Sequence, residues 1–155
     1  MTPHKLKKKI SILVANGVNL DLLGQREPHI YGRTSPKTLE DQLQKEANRL
    51  AIYFSFEAIA LEVFQTNNEC SYLEKISTPY DGAILNPGAW THTSLALGDR
   101  LAALKLNFIE VHLSNLACRE DIRQKSYCSP YAKGIVQGLG IDSYHTALFA
   151  LLKSL

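Results

Sequence analysis

The feature that most limits the possible folds of this chain is a regular alternation of short apolar runs and helix-periodic stretches. The run KISILVAN (Lys9–Asn16) is nearly continuous in apolar residues and stops at Asn-Gly, as a strand buried on both faces does. Leu39, Leu43, Ala47 and Leu50 then recur at helical spacing. They follow Ser35-Pro36, a capping residue and the proline favoured in a first helical turn. FEAIALEVF (Phe56–Phe64) reads as a second strand, and Glu69 to Ser77 as a second helix closed by Thr78-Pro79. GAILN (Gly82–Asn86) is a third strand, and Leu97, Leu101 and Leu104 mark a helix capped by Thr93 or Ser94. FIEVHL (Phe108–Leu113) and GIVQGLG (Gly134–Gly140) supply strands four and five, and a last helix carries Tyr144, Leu148, Leu151 and Leu155 on one face.

Strands that alternate with helices imply right-handed crossovers and a buried parallel sheet. The expected architecture is α/β, a flavodoxin-like three-layer sandwich with a five-stranded parallel sheet of order 2-1-3-4-5. With 155 residues and no repeat or linker-like tract, the chain divides into a basic extension over 1–8 and a single domain over 9–155. In such a sheet the ligand site lies beyond the carboxyl ends of the strands, where strand order reverses.

Those carboxyl ends carry unusual loops. Strand one runs into NGVNLDLLGQREPHIYG, nearly twenty residues where two to six is ordinary, which suggests a lid hinged at Gly17, Gly24 and Gly32. Strand two runs into QTNNE, strand three into NPGAWTHTS, and strand four spans and leads into EVHLSNLACREDIR. Four chemically capable loops at one sheet edge are not explained by core packing.

Charge and cysteine content narrow the possible functions. Lys5, Lys7, Lys8 and Lys9 contribute four positive charges to a total of +2, which leaves the body of the chain at about −2. A short basic tail reads as solvated, and no aromatic–basic interleaving follows, so nucleic acid is not an expected partner. Cys70, Cys118 and Cys128 form no C-x-x-C pair, which argues for a reducing compartment. No apolar run approaches the ~18 residues that cross a bilayer, and no signal-like apolar segment stands at the start. The expected setting is cytoplasmic, away from membranes.

Within the loops, Tyr31 and Arg26 stand five residues apart. A free phenol titrates near 10, so a phenolate base at neutral pH needs about 4 kcal/mol of stabilisation, part of which a nearby guanidinium could supply. The alternative is an aromatic ring parked on the sheet edge. His112 shares a strand face with Glu110, an arrangement that holds a histidine in one tautomer, although a satisfied structural histidine fits equally. Asn86 and His92 flank a helix start suited to an anion, or merely a capped helix anchored by Trp90. Asp99 reads as solvated or at a subunit contact. Arg119 and Arg123, four apart, would share one face of a helical turn and either bind a carboxylate or pair on the surface.

Several chemistries are not indicated. His29, His92 and His112 lack metal-ligand spacing, no phosphate loop of the G-x-x-x-x-G-K-[ST] type occurs, strand three ends in Asn86 rather than aspartate, and no G-x-S-x-G elbow is present. The residues alone describe a metal-free acid–base site for a small polar anion, with the reaction unnamed.

NGVNLDLLGQREPHIYG, LNPGAWTHTSLALGDRL, EVHLSN, REDIRQKSY and GIVQGLG, in that order and spacing, resemble the type II 3-dehydroquinate dehydratases of the shikimate pathway. The resemblance covers the chain from about Lys9 onward. It implies a cofactor-free anti elimination of water from 3-dehydroquinate through an enolate. In it Tyr31 would remove the C2 proton, Arg26 would lower the Tyr31 pKa, and Asn19 would help hold the enolate oxygen. His112, oriented by Glu110, would protonate the departing hydroxyl. Asn86, His92 and Arg123 would bind substrate hydroxyls, the backbone amides of Leu113 and Ser114 would clamp the carboxylate, and Asp99 would reach a neighbouring subunit's site. It also implies a homo-oligomer, trimers grouped as a dodecamer. The chain departs from the family pattern at Val18, where proline is usual, at Asp21, in Thr66, Asn68 and Cys70, and after Arg123, where a histidine is usual. Rival readings are a non-catalytic flavodoxin-like binding module, an oligomeric structural protein that has lost activity, or a dehydratase of quinate breakdown.

Overall fold

Ile12 and Val14 bury on one side of their strand and Leu13 and Ala15 on the other, which requires helices over both faces of the sheet. The computed structural model describes residues 8–25 and 34–155. Its strands are β1 (Ile10–Asn16), β2 (Ile59–Gln65), β3 (Gly82–Asn86), β4 (Phe108–His112) and β5 (Gly134–Gln137). All neighbours pair in parallel, in the order β2-β1-β3-β4-β5, as expected. Order therefore reverses between β1 and β3.

The helices are α1 (Pro36–Phe54), α2 (Glu69–Ile76), α3 (Trp90–Thr93), α4 (Leu95–Leu104) and α5 (Asp142–Lys153). Local chemistry sets their starts. The Ser35 side chain accepts from Thr38 N–H with Pro36 in the first turn, Asn68 accepts from Ser71 N–H, and Ser94, rather than Thr93, accepts from Leu97 N–H. α1 and α5 cover one face through Leu39, Leu43, Leu50, Leu148 and Leu151; α2 and α4 cover the other through Tyr72, Ile76, Leu97 and Leu101. Each fully buried leucine there contributes about 1.5–3 kcal/mol of transfer free energy.

Two strands start or stop three residues short of their apolar runs. β2 begins at Ile59 rather than Phe56, because Ser55 turns left-handed at the end of α1 and Phe56 N–H bonds back to Ala51. β5 ends at Gln137 rather than Gly140, because Gly138 and Gly140 take positive φ and turn the chain into α5. Among the described residues, no helix is long and apolar enough to cross a membrane.

Candidate active site

A two-residue period places Glu110 and His112 on the same face of β4 as Phe108, toward α2 and α4. The same rule puts Asn16 and Asn86 on the opposite face, toward α5, and sheet register sets them side by side at the ends of β1 and β3. Four polar side chains thus reach the carboxyl edge from a sheet that is otherwise apolar.

A cavity of about 140 Å³ opens above them, at the reversal of strand order. Asn19, Asn86, His92, His112, Leu113, Ser114, Arg119 and Arg123 all line it, so eight of the candidate residues singled out from sequence share one hollow. Glu110 lies directly behind His112 with no exposure. Asp99 is exposed on α4 and is not among the cavity residues. Arg26 and Tyr31 lie outside the described residues.

Three loops, not four, line the hollow. The loop after β2 braces instead: the Asn67 side-chain oxygen accepts from Asn19 N–H at 2.8 Å, and Gln65 donates to the Gly17 carbonyl at 3.3 Å. Asn19 itself is left-handed at φ 66°, the conformation that asparagine tolerates best after glycine. The loops after β1 and β3 meet backbone to backbone. A Cβ on Gly17 would sit 2.3 Å from the Pro87 carbonyl oxygen, and one on Gly88 (φ +63°) would sit 2.7 Å from that of Val18. That contact and the Asn67 brace hold the turn that carries Val18.

Arg119 and Arg123 do not share a helix. Two separate 3-10 turns, Leu116–Cys118 and Asp121–Arg123, carry the chain here, with Arg119 extended between them. Both nevertheless line the cavity, and Glu120 lies 3.2 Å from the Nε of each. At Arg123 that approach is misaligned for a hydrogen bond, which leaves its buried Nε without one.

The chemistry concentrates at Glu110. His112 Nε2 stands 2.7 Å from its Oε1; Thr91 donates to the same oxygen at 2.6 Å and Ser129 to Oε2 at 2.6 Å. Ser126 reaches both oxygens, at 3.0 and 3.3 Å. Burial pushes the Glu110 carboxyl up, but the bonds from His112, Ser129 and Thr91 outweigh it and hold the group below the usual carboxylate range. The result is a buried anion with His112 as its partner. His92, stacked on His112 at 6.1 Å between ring centroids, is pushed down by burial and by the charges of His112 and Arg123. It stays neutral.

On the other face Tyr144 donates to the Asn16 side-chain oxygen at 2.7 Å and accepts from the Asn86 side-chain nitrogen at 2.8 Å. Gly88 N–H donates to the remaining oxygen of Asn86 at 3.2 Å, so the amide cannot flip without losing both bonds. Burial raises the Tyr144 phenol well above its ordinary value, which keeps it a neutral donor. Sequence reading treats Tyr144 as part of an apolar helix face and passes over Thr91, Ser126, Ser129 and Asn67. Only the pair of strands both ending in asparagine offered a signal for Tyr144, since two adjacent buried amides need a partner between them.

Among the described residues no cluster of His, Cys, Asp and Glu is arranged to hold a metal ion. A doubly wound parallel sheet whose reversal point holds a buried carboxylate–histidine pair under a cationic rim defines an α/β protein equipped for acid–base chemistry on a small anion. The sequence profile of the family described as Dehydroquinase class II matches residues 10–152, and the chain belongs to that family. A 3-dehydroquinate dehydratase of Polynucleobacter asymbioticus is 46% identical over 154 residues, 97% of this chain and 99% of its own. One from Actinobacillus pleuropneumoniae is 45% identical over 88% of this chain and 86% of its own. The crystal structure of the type II dehydroquinase of Butyrivibrio crossotus superposes with a TM-score of 0.82 at 36% identity, over 92% of this chain and 97% of that one.

Proposed function

We propose that this chain is a type II 3-dehydroquinate dehydratase, a hydro-lyase that converts 3-dehydroquinate to 3-dehydroshikimate by anti elimination in the shikimate pathway. Tyr31, activated by Arg26, takes the proton from C2, and Asn19 holds the oxygen of the enolate that forms. The C2 electron pair closes the C1–C2 double bond as the C1–O bond breaks. His112 gives its proton to the departing hydroxyl, which leaves as water. The proton beside a ketone is only weakly acidic, so both the enolate and the leaving group need this support.

The observation that carries the reading is the ionised Glu110 beneath His112. A buried carboxylate 2.7 Å from Nε2 holds the His112 ring in one orientation and one tautomer. In this reading Asn86, His92 and Arg123 meet substrate hydroxyls and the backbone amides of Leu113 and Ser114 meet its carboxylate, which their common position around one cavity supports. The neighbouring Arg119 and Arg123 favour an anion. Asp99, exposed and apart from its own chain's cavity, suits a homo-oligomer in which it completes a neighbouring site.

Adding 3-dehydroquinate to the protein should produce the ultraviolet absorbance of a conjugated enone. Folded protein with no such signal sinks the proposal. Tyr31→Phe should abolish turnover with an unchanged melting temperature; near-normal kcat would remove Tyr31 from the role of base.

A further inference from the structure

His92 and His112 face each other across the cavity, yet their ring nitrogens are engaged in opposite ways. His92 Nδ1 lies 2.7 Å from the carbonyl oxygen of Lys125, which can only accept, so Nδ1 carries the proton and Nε2 is the bare nitrogen. His112 Nε2 lies 2.7 Å from the Glu110 carboxylate, which as an anion can only accept, so here Nε2 carries the proton and Nδ1 is the one that exchanges.

Both constraints trace to one short segment, 125–129. Its first residue supplies the carbonyl for His92. Ser126 and Ser129 act on His112 through Glu110, and the direction of their hydrogen bonds is determined. The Ser126 oxygen accepts from Cys128 N–H at 3.0 Å and Ser129 N–H at 2.9 Å, which uses both its lone pairs. It can therefore only donate, and the proton of Thr91, 2.9 Å away, is left for Glu110. Ser129 completes a ring of donors around a carboxylate of zero exposure. The segment is pinned in turn by Tyr127 N–H on the Thr91 carbonyl at 2.8 Å, so it moves with the helix that carries His92.

We propose that the Lys125–Ser129 segment is a tautomer clamp, with Ser126 and Ser129 as positioning residues: it leaves Nε2 of His92 as a hydrogen-bond acceptor and Nδ1 of His112 as the nitrogen that takes up and releases the transferred proton. A bare Nε2 on His92 accepts from a substrate hydroxyl, whereas a proton on Nδ1 of His112 passes to the leaving group. In a shared tautomer, one ring would turn a bare nitrogen on an acceptor, His92 on the Lys125 carbonyl or His112 on the Glu110 carboxylate, and that contact would be repulsive. The assignment of substrate contacts rests on the proposed dehydratase reading; the assignment of tautomers does not.

The test is long-range proton–nitrogen correlation NMR on nitrogen-labelled resting protein, joined to steady-state kinetics. The expected spectra show His92 protonated at Nδ1 and His112 at Nε2. Ser129→Ala, which leaves the two amides on Ser126 in place, should turn the His112 signal into a tautomer mixture, leave His92 unchanged, and lower kcat about 10-fold with KM within about twofold. Ser129→Thr keeps a hydroxyl and should restore both signal and rate. Matching tautomers for the two rings in the unmodified protein overturn the clamp, as does a Ser129→Ala variant with unaltered His112 signals and kcat. If Ser129→Ala is unstable, the unmodified spectra still decide. Failure to turn over 3-dehydroquinate would defeat the dehydratase reading while leaving the spectra to judge the clamp.

Discussion

Two polar clusters stand at the same edge of the sheet, one on each face, and they work by different physics. Toward α5, Asn16, Tyr144 and Asn86 form a neutral chain in which each donor meets one acceptor. Toward α2 and α4, Glu110 gathers His112, Thr91, Ser126 and Ser129 around a single negative charge. The neutral chain locks the position of an amide but moves no proton, because burial lifts the Tyr144 phenol out of reach. The charged cluster costs more to bury and stays ionised only through several donors at once. Its return is a His112 ring held in one orientation and one tautomer. One face therefore fixes an amide in place and the other gathers donors around a buried charge.

The contrast can be broken most sharply at Glu110. Glu110→Gln keeps the shape but removes the charge, and puts an amide donor against Ser126, which can no longer accept. We expect kcat to fall by about 100-fold or more, the scale of losing general acid catalysis, in a steady-state assay of enone formation. Tyr144→Phe is the matching test on the other face. Loss of one buried hydroxyl strands the Asn16 oxygen and should cost about 1–3 kcal/mol in a urea titration, with kcat within a few-fold of normal. A larger loss of kcat than of stability at Tyr144 would erase the distinction between the two faces.

Acid should separate them next. The Glu110 carboxyl is held below its ordinary value of 4.5 in the folded state, so its stabilisation is present above 4.5 and is lost as pH falls through the folded value. His92 is held below 6.5, so the unfolded chain takes up its proton first and stability begins to decline below pH 6.5. Stability measured against pH should fall in two stages; His92→Gln should flatten the upper and Glu110→Gln lessen the lower, to which Glu46, Glu62 and Asp81 also contribute, while Tyr144→Phe leaves both. The smallest effect is expected at the brace beneath Asn19. Asn67→Ala removes the oxygen that accepts from both Asn19 N–H and Gln65; it should cost about 0.5–1.5 kcal/mol at this exposed position and raise KM a few-fold, read from denaturation and kinetics.

Fold and site were legible to different depths. The runs at Lys9–Asn16 and Gly82–Asn86 announced buried strands because a sheet covered on both faces leaves no polar alternation, and alternation with helices dictated a parallel order. Ends were less legible: left-handed Ser55 and Gly138 cut β2 and β5 short, and a turn of that kind leaves no periodic mark. Glu110 and His112 could be paired from sequence because two residues on one strand face must be neighbours. Arg119 and Arg123 could not, since four-residue spacing means a shared face only on a helix, and the chain there makes two 3-10 turns instead.

By itself the sequence determined the parallel sheet and the edge at which function would gather, because strand period and loop length are local properties of the chain; the family resemblance added Asn19, Leu113 and Ser114 to the cavity. Tertiary structure alone decided which side chains complete them. Ser126 and Ser129 meet Glu110 across 16 and 19 residues, and Tyr144 meets Asn16 across 128. Those contacts follow from how a short loop and the last helix pack over the strand ends. A hydroxyl has no periodicity to show where its proton will go; only the acceptors around it settle that.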